Sequence, residues 1–182
     1  EVSVCEMVSA YTTFANHGIH CYPMFVSKIE DNEGNVVATF QPRMNEVISE
    51  ESAYKMIEML RAVMNGGTGS RMRYKYNIEC DMGGKTGTTN RNADAWFMGF
   101  TPSLVSGCWV GGEDRDIHFD STRMGQGANM ALPVWAYFMK RVFADRSLGY
   151  DPNEKFDIPE EFNPCSSEFD DYTPGGIEEV FE

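Results

Sequence analysis

Basic residues are scarce in this 182-residue chain. Fifteen lysines and arginines stand against 28 aspartates and glutamates, a formal net charge of −13. A nucleic-acid partner needs a basic surface, so this balance argues against one. The charge is also uneven. Residues 151–182 carry eleven acidic side chains and one basic one, Lys155, so that stretch supplies −10 of the −13. Long apolar runs are missing too, and no stretch can span a bilayer as a helix. A basic start followed by an apolar run and a small-residue cleavage site is also missing. The chain opens EVSVCEM with no initiator methionine, the mark expected of an excised piece whose parent's targeting it does not report. The five cysteines (Cys5, Cys21, Cys80, Cys108, Cys165) form no C-x-x-C pair, and His17, His20 and His118 are scattered. Neither a zinc site nor a Cys–His nucleophile finds local support. An odd, dispersed set reads as buried thiols, with room for one bridge. No internal repeat is visible.

What is present is a globular composition, 42% hydrophobic and 13% aromatic, with length enough for one domain. Ser3 and Glu6 fit a capping box, and Val4, Met7, Val8, Tyr11, Phe14 and Ala15 recur at helical spacing up to a stop at Gly18. A hairpin is expected next, with strands 25–30 and 36–40 around the turn DNEGN. That turn has the look of a calcium loop, but the twelfth position, where an acid is required, is Pro42. A second helix is expected from Ser49 to Met64, with Ala53, Met56, Ile57, Leu60, Val63 and Met64 inward. NGGTGS ends it, and residues 71–82 read as extended, with Tyr74, Tyr76 and Ile78 on one side. Three strands follow: one carrying GGKTGTT, then 95–101, then 104–111, the last two antiparallel across Thr101-Pro102-Ser103. Their runs are apolar on both faces, which implies a sheet covered by helices. A last helix is expected over 132–144, with Pro133 in its first turn and Val134, Trp135, Phe138, Met139 and Val142 inward. The domain is expected to end near 148, and 149–182 to be an acidic, partly disordered tail.

The stretch GGKTGTT (83–89) contains Gly-Lys-Thr, the end of a phosphate-binding loop. Such a loop needs a glycine at position 79, which here is Glu79, and a helix after it. The sequence instead continues TTNRNADAWFMGF, a turn and then a strand. On a strand, side chains alternate, so Thr86 and Thr88 share one face and Lys85 takes the other unless an edge position brings it round. Gly87 removes a side chain between the threonines, so another backbone can approach. Two hydroxyls, a cation and free main-chain groups suit an extended peptide with a carboxylate end, added as a further strand. An ordinary Gly-bearing edge strand is the plainer alternative from these residues alone.

KTGTT followed by DAWFMGFTP and LVSGCWVGG resembles the C-terminal half of the transpeptidase domain of class A, bifunctional penicillin-binding proteins. EMVSAYTTFANHGIHCYPMFVSKIEDNEGNVV, NGGTGS and ANMALPVWAYFMKRV are similar to further segments of that domain, in the same order. Together they cover most of residues 1–145, whereas the tail after Asp151 matches little. The resemblance implies an α/β fold of the α+β type, the penicillin-recognising serine transpeptidase/β-lactamase-like fold, present here as its C-terminal portion. It implies no metal or organic cofactor. Implied ligands are D-Ala-D-Ala stem peptides of peptidoglycan and β-lactams. The implied setting is the extracytoplasmic (periplasmic) face of the cell envelope, through a membrane-anchored parent that supplies the remainder of the transpeptidase domain.

The resemblance also implies roles. Lys85 places a charge beside the nucleophile and orients substrate. Thr86 and Thr88 bind the ligand carboxylate, with Gly87 and Thr89 beside them. The Thr88 backbone N–H is one of two oxyanion donors. The nucleophile should be the serine of S-x-x-K, with an S-x-N before the K-T-G. The one S-x-x-K here is Ser52-Ala53-Tyr54-Lys55. Its lysine falls opposite Ala53, Ile57 and Leu60, solvated, with nothing to depress its pKa. No S-x-N precedes Lys85. The chain is therefore expected to be catalytically silent alone, and sticky where helix faces are left uncovered. Two alternatives keep the fold: a non-catalytic ligand-binding or sensor module, and a serine D,D-carboxypeptidase or β-lactamase relative.

Overall fold

A computed structural model of the chain describes residues 2–160 and 162. The first helix, α1 (Val4–Ala15), begins where the capping box requires. Glu6 N–H donates to Ser3 Oγ at 3.2 Å, and Ser3 N–H donates to the Glu6 carboxylate at 2.7 Å. The backbone turns left-handed at His17 and Gly18, which stops the helix. Four short strands follow: β1 (Ile19–Cys21), β2 (Lys28–Glu30), β3 (Val36–Thr39) and β4 (Met44–Glu46). They pair as β1 with β4 and β2 with β3, both antiparallel. The hairpin around DNEGN forms, but its strands are shorter than 25–30 and 36–40. A bulge beside Ile29 breaks the register, and almost every residue of the pair is exposed, so little packing extends it. The turn is closed by Asp31, whose carboxylate accepts from the Glu33 and Asn35 N–H groups, each at 2.9 Å.

Helix α2 (Glu50–Asn65) is capped by Ser49. Its inward stripe is Ala53, Tyr54, Ile57, Leu60 and Met64, with Met56 and Val63 only half-buried. Tyr54 joins because its ring lies edge-on to Phe162, at 4.6 Å between centroids. Residues 71–74 are a helical turn, α3 (Arg71–Tyr74), not an extended segment. The turn swings Tyr74 out to solvent while Tyr76 and Ile78 enter the core.

The central sheet is β5 (Gly83–Thr88), β6 (Asp94–Phe100) and β7 (Val105–Gly111), antiparallel in that spatial order. Its two faces are covered differently. Met98 and Gly107 form one cross-strand pair, and Val8 of α1 lies over Gly107. The adjacent pair, Gly99 with Ser106, faces the other way, toward Trp135, whose Nε1–H donates to Ser106 Oγ at 2.7 Å. Trp135 lies on α5 (Ala131–Ala144), which follows a single turn, α4 (Thr122–Gly125). The inward stripe of α5 is Ala131, Leu132, Trp135, Ala136, Met139 and Val142. Val134 and Phe138 are about half exposed, contrary to expectation. The helix is apolar nearly all round, and small Ala131 and Ala136 let the Trp135 stripe lie close to the sheet in their place.

One core cluster joins Met64, Met72, Tyr76, Met82 and Phe97 to α5. The other joins Tyr54, Ile57, Leu60 and Phe100 to Tyr11 and Phe14. This second cluster also contains Phe156, 7% exposed, edge-on to Phe100 at 5.6 Å. The Phe156 N–H donates to Asp81 Oδ2 at 3.4 Å, and Asp81 also accepts from Arg61 Nε at 2.8 Å. The packed body therefore continues past 148, because an aromatic and a buried carboxylate anchor residues that composition alone marks as solvated. Most of the acidic stretch beyond lies outside the described residues.

Candidate functional site

The Gly84-Lys85-Thr86 triplet sits inside strand β5, and the chain after it makes a hairpin into β6. No helix start follows that could receive a phosphate. The hairpin is closed by Thr89, whose N–H donates to Asp94 O at 3.0 Å and whose hydroxyl donates to Asp94 Oδ2 at 2.9 Å. Trp109 Nε1–H reaches the other carboxylate oxygen at 2.9 Å. That bond, with Thr89 and Arg115 behind it, holds the Asp94 carboxyl below its ordinary range against the opposing effect of burial. Thr89 is thus a hinge of the hairpin, and its hydroxyl is not presented beside Thr86 and Thr88.

The Thr89–Asp94 bond sets the alternation along β5. Residues 89, 87 and 85 turn their main-chain groups toward β6, and Thr88 and Thr86 turn theirs away from it. β5 is the edge of its sheet among the described residues, so these groups face outward. Lys85 confirms the direction: its exposed side chain curls round and donates from Nζ to the Thr86 carbonyl at 2.8 Å. The ammonium therefore lies at the strand edge although its Cβ leaves the face opposite the threonines.

Both threonine hydroxyls are framed by segments that sequence reasoning did not connect to them. Thr86 Oγ1 lies 2.8 Å from Thr68 Oγ1, in the loop between α2 and α3. Thr88 Oγ1 accepts from the Gly127 N–H at 3.0 Å, in the loop between α4 and α5. Gly127 approaches so closely that a Cβ there would lie 2.4 Å from the carbonyl oxygens of both Gly87 and Trp96. Only glycine fits. Arg71 ties the two framing loops together through Ala128 O, at 3.0 Å, and the Asn129 side chain. The Thr68 loop is fixed in turn to the end of α2, where the Gly67 and Gly69 N–H groups both donate to Val63 O at 3.1 Å.

Ser52 and Lys55 stay apart from this edge, at the start of α2. Lys55 pairs with Glu51 at 2.9 Å, and Ser52 Oγ accepts from Ser49 Oγ at 2.9 Å. Lys55 is half-buried rather than fully solvated, and its acidic neighbour favours the charged ammonium over a neutral base. A second serine, Ser9, meets His20 Nε2 at 2.8 Å, which the sequence did not foreshadow. Its proton goes to Cys21 O, also at 2.8 Å, so the imidazole must donate to the serine instead of accepting from it. That arrangement ties β1 to α1 and does not activate a nucleophile. Cys80 is buried, which pushes its thiol up to about 11. Among the described residues, no group of three or more His, Cys, Asp or Glu could hold a metal ion, and no helix is long and apolar enough to cross a membrane.

A three-stranded antiparallel sheet between helices, with Lys-Thr-Gly-Thr on its edge, defines the penicillin-recognising α/β fold. Residues 1–107 match the penicillin binding protein transpeptidase domain, and the chain belongs to that family. It is 37% identical over 186 residues to penicillin-binding protein 1A of Aquifex aeolicus, an alignment covering all of the chain and 24% of that protein. The acidic stretch after Asp151, where the sequence showed little likeness, is included in it. The chain is 29% identical to penicillin-binding protein 1A of Vibrio cholerae over 77% of its length and 22% of that protein. It spans about a quarter of the length of these relatives. In structure it is similar to penicillin-binding protein 1A of Haemophilus influenzae, with TM-score 0.77, 28% identity, and coverage of 87% of this chain and 28% of that one. It is also similar to the PonA1 protein of Mycobacterium tuberculosis in complex with penicillin V, with TM-score 0.69, 27% identity, and coverage of 87% and 42%.

Proposed function

We propose that these residues form one wall of the active site of a peptidoglycan D,D-transpeptidase, and that the acylated serine is supplied by residues outside this sequence. The whole enzyme would acylate that serine with a D-Ala-D-Ala stem peptide, release D-Ala, and pass the acyl group to an amine on a neighbouring strand. A β-lactam would occupy the same edge and acylate the same serine. In this reading β5 receives the ligand as an added strand, and the Thr86 and Thr88 hydroxyls donate to its carboxylate. Lys85 supplies positive charge beside the serine. The Thr88 N–H, turned away from β6, serves as an oxyanion donor, a role worth about 10²–10³ in rate when one donor is lost. The protein would work at the extracytoplasmic face of the envelope, anchored through segments not included here.

The observation that carries this reading is the edge itself: two threonine hydroxyls, a lysine ammonium and outward main-chain groups converge on one unpaired strand. Labelling with a fluorescent penicillin tests it. The full-length protein should be labelled, and Thr88→Val should reduce the labelling rate at least tenfold. The 182-residue chain alone should not be labelled. A stable adduct on Ser52, located by mass spectrometry, would sink the assignment of the nucleophile to residues outside this sequence.

A further inference from the structure

The two framing contacts differ from ordinary surface hydrogen bonds in what they do to the threonine protons. A threonine hydroxyl has one proton and two acceptor lone pairs. The Gly127 N–H can only donate, so its bond to Thr88 Oγ1 fills a lone pair and leaves the Thr88 proton free for a ligand. The Thr68–Thr86 pair, at 2.8 Å, can run in either direction. A carboxylate on the β5 edge removes that freedom. It only accepts, so when it takes the Thr86 proton, Thr68 must donate to Thr86. Each threonine then has a donor behind it and its own proton in front, and a chain of aligned hydrogen bonds strengthens its last member by roughly 10–30%.

We infer that Thr68 is a positioning residue for the carboxylate site. Its hydroxyl donates to Thr86 Oγ1 and turns the Thr86 proton toward the bound ligand, as the Gly127 N–H does for Thr88. This rests on the reading of β5 as a carboxylate-binding edge. The loop hydrogen bonds to Val63 and the Arg71 bridge to Ala128 hold both donors in place before any ligand arrives. The arrangement is specific for an acceptor-only group. A neutral amide end could also take these protons, but without the charge that makes such bonds strong.

Time-resolved acylation of the full-length protein by benzylpenicillin, resolved into a pre-acylation Kd and a limiting acylation rate, tests the inference. Thr68→Val should raise Kd about fivefold, as expected for one lost hydrogen bond, and leave the limiting rate within twofold. Thr68→Ser should restore Kd. The methyl ester of the same penicillin should bind the wild type and Thr68→Val alike. An unchanged or lower Kd in Thr68→Val would overturn the inference, as would failure of Thr68→Ser to restore it or an equal loss with the ester. Thr86→Val separates the two levels. If it weakens benzylpenicillin while Thr68→Val does not, only the role of Thr68 falls. If Thr86→Val has no effect on Kd, the carboxylate edge itself falls, and Thr68 with it.

Discussion

Replacing Phe156 by alanine measures where the folded unit ends. Phe156 lies in a segment without regular secondary structure, yet it is 7% exposed and packs edge-on against Phe100. Fully burying such a side chain contributes at most about 3 kcal/mol, and the ring pair about 0.5–1.5 kcal/mol more. Cavity-forming Phe→Ala changes cost about 3–5 kcal/mol where the surroundings cannot relax. Here the segment can let go, which caps the cost near the burial value, about 3 kcal/mol. Detachment would also free the Phe156 N–H to find water, so its bond to Asp81 adds little. With a urea slope of about 2 kcal/mol/M the unfolding midpoint should fall by roughly 1.5 M. Fluorescence of Trp96, Trp109 and Trp135 follows the transition. Ile158→Ala, at a 67% exposed neighbour, should stay within about 0.5 kcal/mol of the wild type. Truncation after Leu148 should cost at least as much as Phe156→Ala. If Phe156→Ala behaves like Ile158→Ala, or the truncation is neutral, Phe156 does not belong to the core and the unit ends near 148.

Two further outcomes follow from the site. Gly127→Ala places a methyl 2.4 Å from two backbone oxygens that cannot step aside. It should destabilise the chain by about 1–3 kcal/mol, and amide exchange should quicken at Gly127, which can no longer reach Thr88; an unchanged melting temperature would refute the close approach. Asp94 is held low chiefly by Trp109, so its folded-state pKa lies beneath its unfolded one. The stability it adds is present above the unfolded value of about 4 and is lost as pH falls through the folded one. Asp94→Asn should therefore flatten the acid limb of the stability profile below about pH 4, and an identical limb in the variant would refute it.

The capped helices and the three-strand run were legible because each carries a local signal: Ser3 with Glu6, Ser49 before α2, and alternating aromatics in 94–111. The pairing of β1 with β4 was not legible. Three-residue strands with exposed faces have no period to detect, and their register depends on a connection of 22 residues between them. α3 was hidden because Arg-Met-Arg-Tyr fits a turn of helix or a strand equally well. Lys85, Thr86 and Thr88 could be named from one tetrapeptide. Thr68 and Gly127 could not be joined to them, since a hydroxyl contact across 18 or 39 residues leaves no pattern in sequence. Thr89 looks the same as its neighbours in sequence, and only the hairpin closure reassigns its hydroxyl to Asp94.

The Arg71 bridge links positions 57 and 58 residues apart, and the Asp81–Phe156 bond spans 75. Such distant closures carry a high entropic cost before they return any contact energy, so they form late in folding. On a ribosome, strand β5 emerges well before the loop that caps Thr88. The threonine pair must remain unframed until Gly127 has left the exit tunnel, and its base is anchored only when Phe156 arrives. Binding competence is thus a property of the nearly finished chain, and a nascent chain stalled before Gly127 would carry the K-T-G-T letters without the receptor they spell.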